Sequence, residues 1–159
     1  MTTTTETLRA LLLDGDAAAL RTVGGALERR GADVLVAQDG VSGVELLIDA
    51  LLALDVLVLD LDLPGRDGWS ILRLVRGAGG ERDLAIVVLA REPSPALRAQ
   101  LAALGADRVV DRAEAPEFAA VEIERAVRAR RAGAAAPVPF LTTALGVLRP
   151  APRLELAVA

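Results

Sequence analysis

The 159-residue chain contains no cysteine, no histidine, no lysine and no tyrosine. Lacking thiols and imidazoles, it can build neither a disulfide framework nor a Cys/His zinc site, and a Ser-His-Asp triad is impossible. With no lysine there is no Walker nucleotide loop, and all 18 cationic side chains are arginine. The only aromatics, Trp69, Phe118 and Phe140, are too few to stack the bases of a single strand. Net charge is -4, which argues against a broad phosphate-binding surface, so direct DNA binding by these residues is not expected. Long apolar runs are also missing. The longest uncharged stretch, Ala132 to Leu148, is short for a membrane span and holds Pro137 and Pro139. The start, Met1 to Glu6, lacks the basic and apolar segments of a secretory signal. A cytoplasmic protein without membrane contact is the expectation.

What is present is an alternation of short apolar runs and helical periodicities. Leu8 to Leu13 reads as a buried strand ending in Asp14-Gly15-Asp16. Leu20, Val23 and Leu27 mark a helix over Asp16 to Arg30, stopped by Gly31. Gly24-Gly25 within it costs about 1 kcal/mol per residue relative to alanine and implies close packing. Asp33 to Ala37 is a second strand with Asp39-Gly40 as its turn, and Val44, Leu47, Ile48 and Leu51 line one face of a second helix. Asp55 to Leu59 is almost wholly apolar, as a central parallel strand covered on both faces would be. Trp69, Leu72, Leu74 and Val75 give a third helix, Leu84 to Leu89 a fourth strand, and Ser94 or Pro95 opens a fourth helix. Arg108 to Val110 and Pro116 to Arg131 complete the series. Five βα units with short connections predict an α/β fold: a flavodoxin-like, doubly wound, five-stranded parallel sheet. Such sheets place their sites at the carboxyl ends of the strands, where this chain carries its acidic loops.

The segments Leu11-Leu12-Leu13-Asp14-Gly15-Asp16, Asp60-Leu61-Asp62-Leu63-Pro64-Gly65-Arg66-Asp67-Gly68-Trp69 and Gly105-Ala106-Asp107 resemble those of bacterial response-regulator receiver domains, the CheY-like superfamily. The middle segment is the most specific: an apolar strand, an aspartate, Leu-Pro-Gly, then Asp-Gly opening a helix. The resemblance covers about residues 7–131. It implies a receiver domain over 1–131; beyond it, composition reads as an Ala/Pro linker over 132–140, and in a tail over 141–159 Leu145 to Leu148 and Leu154 to Val158 read as a small hairpin or the start of an effector domain of the winged-helix (OmpR) type. It also implies that Asp60 is the phosphoacceptor position, with a histidine kinase as donor and Mg²⁺ held by acids after the first strand and by the acceptor. The physics requires a cation, because a carboxylate attacking a phosphoryl group meets like charge.

Carried over residue by residue, that pocket is incomplete. Asp14, Asp60 and Asp62 stand at metal-ligand positions, but Gly15 replaces the principal acid and offers no side-chain oxygen. Ala90 stands where a hydroxyl residue should close the fourth strand. The lysine position falls at Arg112, or at Asp111 with a shift of one, and Val109 replaces an aromatic switch residue. The acidic pocket is therefore expected to comprise Asp14, Asp16, Asp60 and Asp62. Asp16 either replaces the missing ligand or simply caps the first helix, and Arg112 is placed to stand in for the metal. Without a cation, mutual repulsion should raise some of the carboxyl pKa values. Trp69 is read as packing, and Arg125, Arg128, Arg130 and Arg131 as a solvated helix end.

Competing functions follow. The first is a non-enzymatic, atypical receiver module of signal transduction or transcription regulation, acting through contacts, with no cofactor or weak Mg²⁺. Its homodimer face would use the fourth helix, fifth strand and fifth helix: apolar Leu97 and Leu101 with charged Arg98, Asp107, Arg108, Glu122 and Arg125. The second is a pseudo-receiver sensing a small molecule, with room opened by Gly15 and Ala90 for an apolar metabolite. A working Mg²⁺-dependent phosphoacceptor is a further alternative, and a carboxylate-only metal hydrolase a remote one.

Overall fold

A computed structural model gives the fold and describes residues 6–77, 83–134, 140–142 and 148–150. The chain runs β1 (Arg9–Leu13), α1 (Ala17–Arg29), β2 (Asp33–Ala37), α2 (Gly40–Ala50), β3 (Val56–Asp60), α3 (Gly68–Gly77), β4 (Ala85–Ala90), α4 (Pro95–Ala103), β5 (Arg108–Asp111) and α5 (Pro116–Ala134). The strands form one parallel sheet in the order β2-β1-β3-β4-β5. This is the expected flavodoxin-like (βα)5 architecture. Helix α5 extends into the stretch expected as linker. A separate antiparallel pair joins β6 (Phe140–Thr142) to β7 (Leu148–Pro150). The expected hairpin instead used Leu145 to Leu148 and Leu154 to Val158, of which only Leu148 lies within the described residues.

Strand alternation divides the core into two layers. Ala10, Leu12, Val56, Val58, Val87 and Leu89 face α1 and α5, where they meet Leu27, Ile123 and Val127. The intervening Leu11, Leu13, Leu57, Leu59, Ile86 and Val88 face the opposite layer, with Leu47, Ile71, Leu72 and Leu101. Every residue of β3 and β4 is buried, which is why these strands read as unbroken apolar runs. One helix-face assignment is corrected. Ile48 is 68% exposed, because 3.6-residue periodicity leaves the edge of an apolar stripe ambiguous when neighbouring positions are apolar too.

Caps fix where helices begin. Asp16 accepts from Ala18 N at 2.8 Å, and Ser94 accepts from Leu97 N at 3.1 Å before Pro95. Asp39 accepts from the Val41 and Ser42 amides at 2.9 and 2.8 Å. Asp39-Gly40 is thus the start of α2 and not a simple turn. Gly24 is in ordinary contact with Leu12 and Val34 at 3.7 Å, so the diglycine marks a helix–sheet contact without extreme crowding. Two arginines of α5 are also engaged: Arg131 pairs with Asp55 at 2.6 Å and Arg130 with Asp107 at 3.0 Å. That corrects the reading of these two as merely solvated, while Arg125 and Arg128 are exposed as expected. Asp107 additionally accepts from Ile86 N at 2.7 Å and Arg76 Nη2 at 2.8 Å. Arg76 donates onward to the carbonyls of Gly105 and Leu84 at 2.8 and 3.0 Å, tying α3, β4, β5 and α5 together at one end of the sheet.

Gly68 has no room for a side chain. A Cβ there would collide with the Asp60 carbonyl oxygen and approach Leu61 Cα to 2.8 Å. The Gly68→Ala variant should lose about 1–3 kcal/mol in urea unfolding. Gly77→Ala, whose Cβ meets nothing within 4 Å at the end of α3, should be no less stable than the parent.

Candidate functional site

The strand order reverses between β1 and β3, and this crevice holds the two buried acids. Leu13 pairs in register with Leu59, so the next residues, Asp14 and Asp60, emerge side by side at the carboxyl ends. Among the described residues these are the buried charged pair, 2% and 8% exposed. Arg112 enters from the loop after β5. Its amide donates to the Ala90 carbonyl at 2.9 Å, which pins the loop to the end of β4. Asp111 accepts from Ala113 N at 3.0 Å and shapes the turn before α5. Of the two alignments of the lysine position, Arg112 is thus the residue that reaches the pocket.

The guanidinium spans both acids. Arg112 Nη1 lies 2.8 Å from Asp14 Oδ2 and 2.9 Å from Asp60 Oδ2, and Nη2 donates to Asp14 Oδ1 at 3.1 Å. Asp14 Oδ1 also accepts from Asp16 N at 2.8 Å. Asp14 Oδ2 is fully buried and, despite its close ion contact, has no hydrogen-bond partner. Burial pushes the Asp60 carboxyl above its ordinary pKa. The Asp62 amide and the Arg112 charge oppose that shift, while the charges of Asp14 and Asp62 add to it. Burial alone would lower the Arg112 pKa; hydrogen bonds and charge from Asp14 and Asp60 outweigh it and raise it.

The four expected acids separate into two kinds. Asp16 is an exposed helix cap whose carboxylate stays 4.0 Å from Arg112. Asp62 is exposed, and it is its amide that enters the site, donating to Asp60 Oδ1 at 3.3 Å. Gly15 has Pro64 Cδ 3.3 Å from where its Cβ would be, so a longer side chain there would have to displace Pro64. Ala90 is buried and Val109 half-buried. Mg²⁺ requires near-octahedral oxygen ligands at about 2.0–2.1 Å. Here an arginine nitrogen sits between the candidate ligands, Gly15 contributes no oxygen, and no group of three acids among the described residues is placed to hold a metal. The residues present do not fit the ion.

On the expected contact face, Leu101 is fully buried and Asp107 is engaged internally with Arg76 and Arg130. Both are structural, which corrects their assignment to the surface. Arg98, Arg108 and Arg125 are exposed, Leu97 is half-buried, and the largely buried Glu122 pairs with Arg125 at 2.6 Å; they are joined by Phe118, 45% exposed and overlooked in the sequence. Its position four residues before Glu122 on the same helix is the signal that could have found it.

Residues 10–134 match the response regulator receiver domain family. The chain belongs to this family. The response regulator MprA of Mycobacterium tuberculosis is 34% identical over 100 residues, covering 63% of this chain and 42% of its own length. The chain therefore spans less than half of these curated relatives. A receiver domain protein from Clostridium thermocellum superposes with a TM-score of 0.70 at 19% identity, over 79% of this chain and 98% of that one. The receiver domain of the Francisella response regulator 1452 does so with a TM-score of 0.68 at 21% identity, over 77% and 98%. At such identities the structural likeness shows the fold alone. No helix among the described residues is long and apolar enough to cross a membrane.

The raised Asp60 pKa has a definite sign for stability. A carboxyl whose folded pKa exceeds its unfolded value gives stability that is complete below the unfolded pKa and lost as pH rises through the folded one. Asp60→Asn should therefore gain Tm relative to the parent on going from pH 4 to pH 7, read by parallel thermal melts. A relative loss over that interval would contradict the burial argument.

Proposed function

We propose that this receiver module works in signal transduction through protein contacts, with Asp60 as a vestigial phosphoacceptor. One observation carries the reading: the Arg112 guanidinium lies across Asp14 and Asp60, at 2.8 and 2.9 Å. An in-line phosphoryl transfer to Asp60 needs an open carboxylate oxygen and a mobile or metal cation beside it. Here the oxygen facing the pocket is already paired, the ligand position at 15 is glycine, and Ala90 provides no hydroxyl to answer a phosphate. A regulatory module of the OmpR type is the reading that the kinship with the response regulator MprA supports. Transcription regulation, and any histidine kinase partner, follow from that kinship.

Receiver domains of this family often dimerise. For this chain the face formed by α4, β5 and α5 suits a two-fold homodimer: Leu97 and Phe118 supply apolar area, while Arg98, Arg108, Arg125 and Glu122 supply both signs of charge. A second reading, small-molecule sensing, has one observation in its favour. A cavity of about 280 Å³ opens between α1 and the β5–α5 loop, lined by Thr22, Leu89, Arg91 and Arg112 among others. Neither Gly15 nor Ala90 lines it, and its wall mixes charged side chains such as Arg91 and Glu114 with apolar ones such as Val23 and Leu89.

Intact-mass measurement after incubation with acetyl phosphate tests the main reading. No phosphoryl adduct is expected, with or without Mg²⁺, under conditions that label an ordinary receiver. An adduct that requires Mg²⁺ and disappears in Asp60→Asn would refute it. Sedimentation velocity tests the contact face: the parent should associate at micromolar concentrations, and Phe118→Asp should weaken association by about tenfold or more. A parent that stays monomeric would remove the dimer from the proposal.

A further inference from the structure

Asp14 and Asp60 are forced together by the register of β1 and β3, not by a ligand. Both side chains are nearly withdrawn from water, at 3% and 12% exposure, so their repulsion is poorly screened. Among the described side chains, Arg112 alone approaches both carboxylates within 4.0 Å. Its own side chain is 14% exposed, and its backbone is fastened to Ala90 at 2.9 Å. This is not a surface arginine resting on an acidic patch but a charge built into the site. The geometry is nonetheless imperfect. Asp14 Oδ2 is buried without a hydrogen bond although Nη1 is 2.8 Å away. A planar fork cannot align its donors with all the oxygens it faces, whereas a small spherical ion has no such directional demand.

We infer that Arg112 is the permanent internal cation of this pocket, and that the acid pair beneath it is a latent divalent-cation site which the guanidinium keeps closed. The inference rests on the reading of Asp60 as a vestigial acceptor and goes further, assigning to one side chain both the neutralisation of the acid pair and its closure to a metal ion. It also gives Arg112 a mechanical role. The residue joins the loop between β5 and α5 to the ends of β1 and β3, so the contact face is held in one arrangement with no metal or phosphate input.

The test uses the full chain, calorimetric titration with Mn²⁺, and thermal melts with Mn²⁺ or EDTA. The parent should take up no Mn²⁺ at millimolar concentration and melt identically in both conditions. Arg112→Met, which keeps bulk but removes the charge, should melt roughly 10 °C lower in EDTA, since it leaves a buried pair uncompensated. Mn²⁺ should restore much of that loss, with affinity at least about tenfold above the parent's. Adding Asp14→Asn to Arg112→Met should abolish the Mn²⁺ response. A variant that fails to fold in EDTA yet folds with Mn²⁺ supports the inference equally.

Two results would overturn it: Mn²⁺ binding by the parent that Asp14→Asn abolishes, or an Arg112→Met variant that folds without any response to Mn²⁺. The first can be read on the parent even if the variant never folds. Failure here is separable from failure of the proposed function. A parent that acetyl phosphate does not label, with an Mn²⁺-indifferent Arg112→Met, sinks only the role of Arg112. Phosphoryl labelling of the parent sinks the reading beneath it.

Discussion

Two carboxylates at the ends of adjacent parallel strands, largely removed from water, must be neutralised by something. Their proximity is not adjustable, because Leu13 and Leu59 are paired in the sheet and each acid is the next residue. Moving them apart would require breaking the ladder between β1 and β3 in the middle of the core. The chain meets the demand from within, by bringing Arg112 across from the end of β5. Much else follows from that choice. The loop carrying Arg112 must be held near the pocket, which the bond to the Ala90 carbonyl and the Asp111 turn accomplish. In an effective medium far less polar than water, such an arrangement is strongly destabilising to dismantle from one side.

The fold was legible because parallel α/β sheets write themselves plainly. Strands β3 and β4 are buried on both faces and read as continuous apolar runs, and the helices between them carry periodic leucines and recognisable caps. Asp14 and Asp60 were legible for a related reason: an acid that abruptly ends an apolar strand lies at the carboxyl edge of the sheet. Distances across that edge were not legible. Asp16 and Asp62 look equivalent to the other two in the sequence, yet one spends its carboxylate on a helix cap and the other contributes only its amide. Sequence spacing says which residues leave the same edge, but not which side chains turn inward.

The same limit explains the errors on surfaces. Leu101 follows Leu97 by four residues and was assigned to the same outward face, but α4 buries one and half-exposes the other. Asp107 is charged and next to a short strand, which suggests exposure, while its actual partners are separated from it by 31 and 23 positions, at Arg76 and Arg130. Long-range pairing of this kind has no local signature. Phe118 entered the sequence reading only as one of three aromatics, and here it is 45% exposed.

The two ends of the sheet are fastened very differently. At the amino end of β4, Asp107, Arg76 and Arg130 form a cluster with the Ile86 amide and the Gly105 and Leu84 carbonyls, so several elements share many bonds. At the carboxyl end, the side-chain link from beyond β5 to the buried acids runs through Arg112. The β4–β5 ladder and the Arg112 amide keep β5 itself in place, so the guanidinium is a lock one pin deep on a door that is already hung. Losing it would free the two acids and loosen the loop that carries it, while the Asp107 cluster at the far end stayed closed.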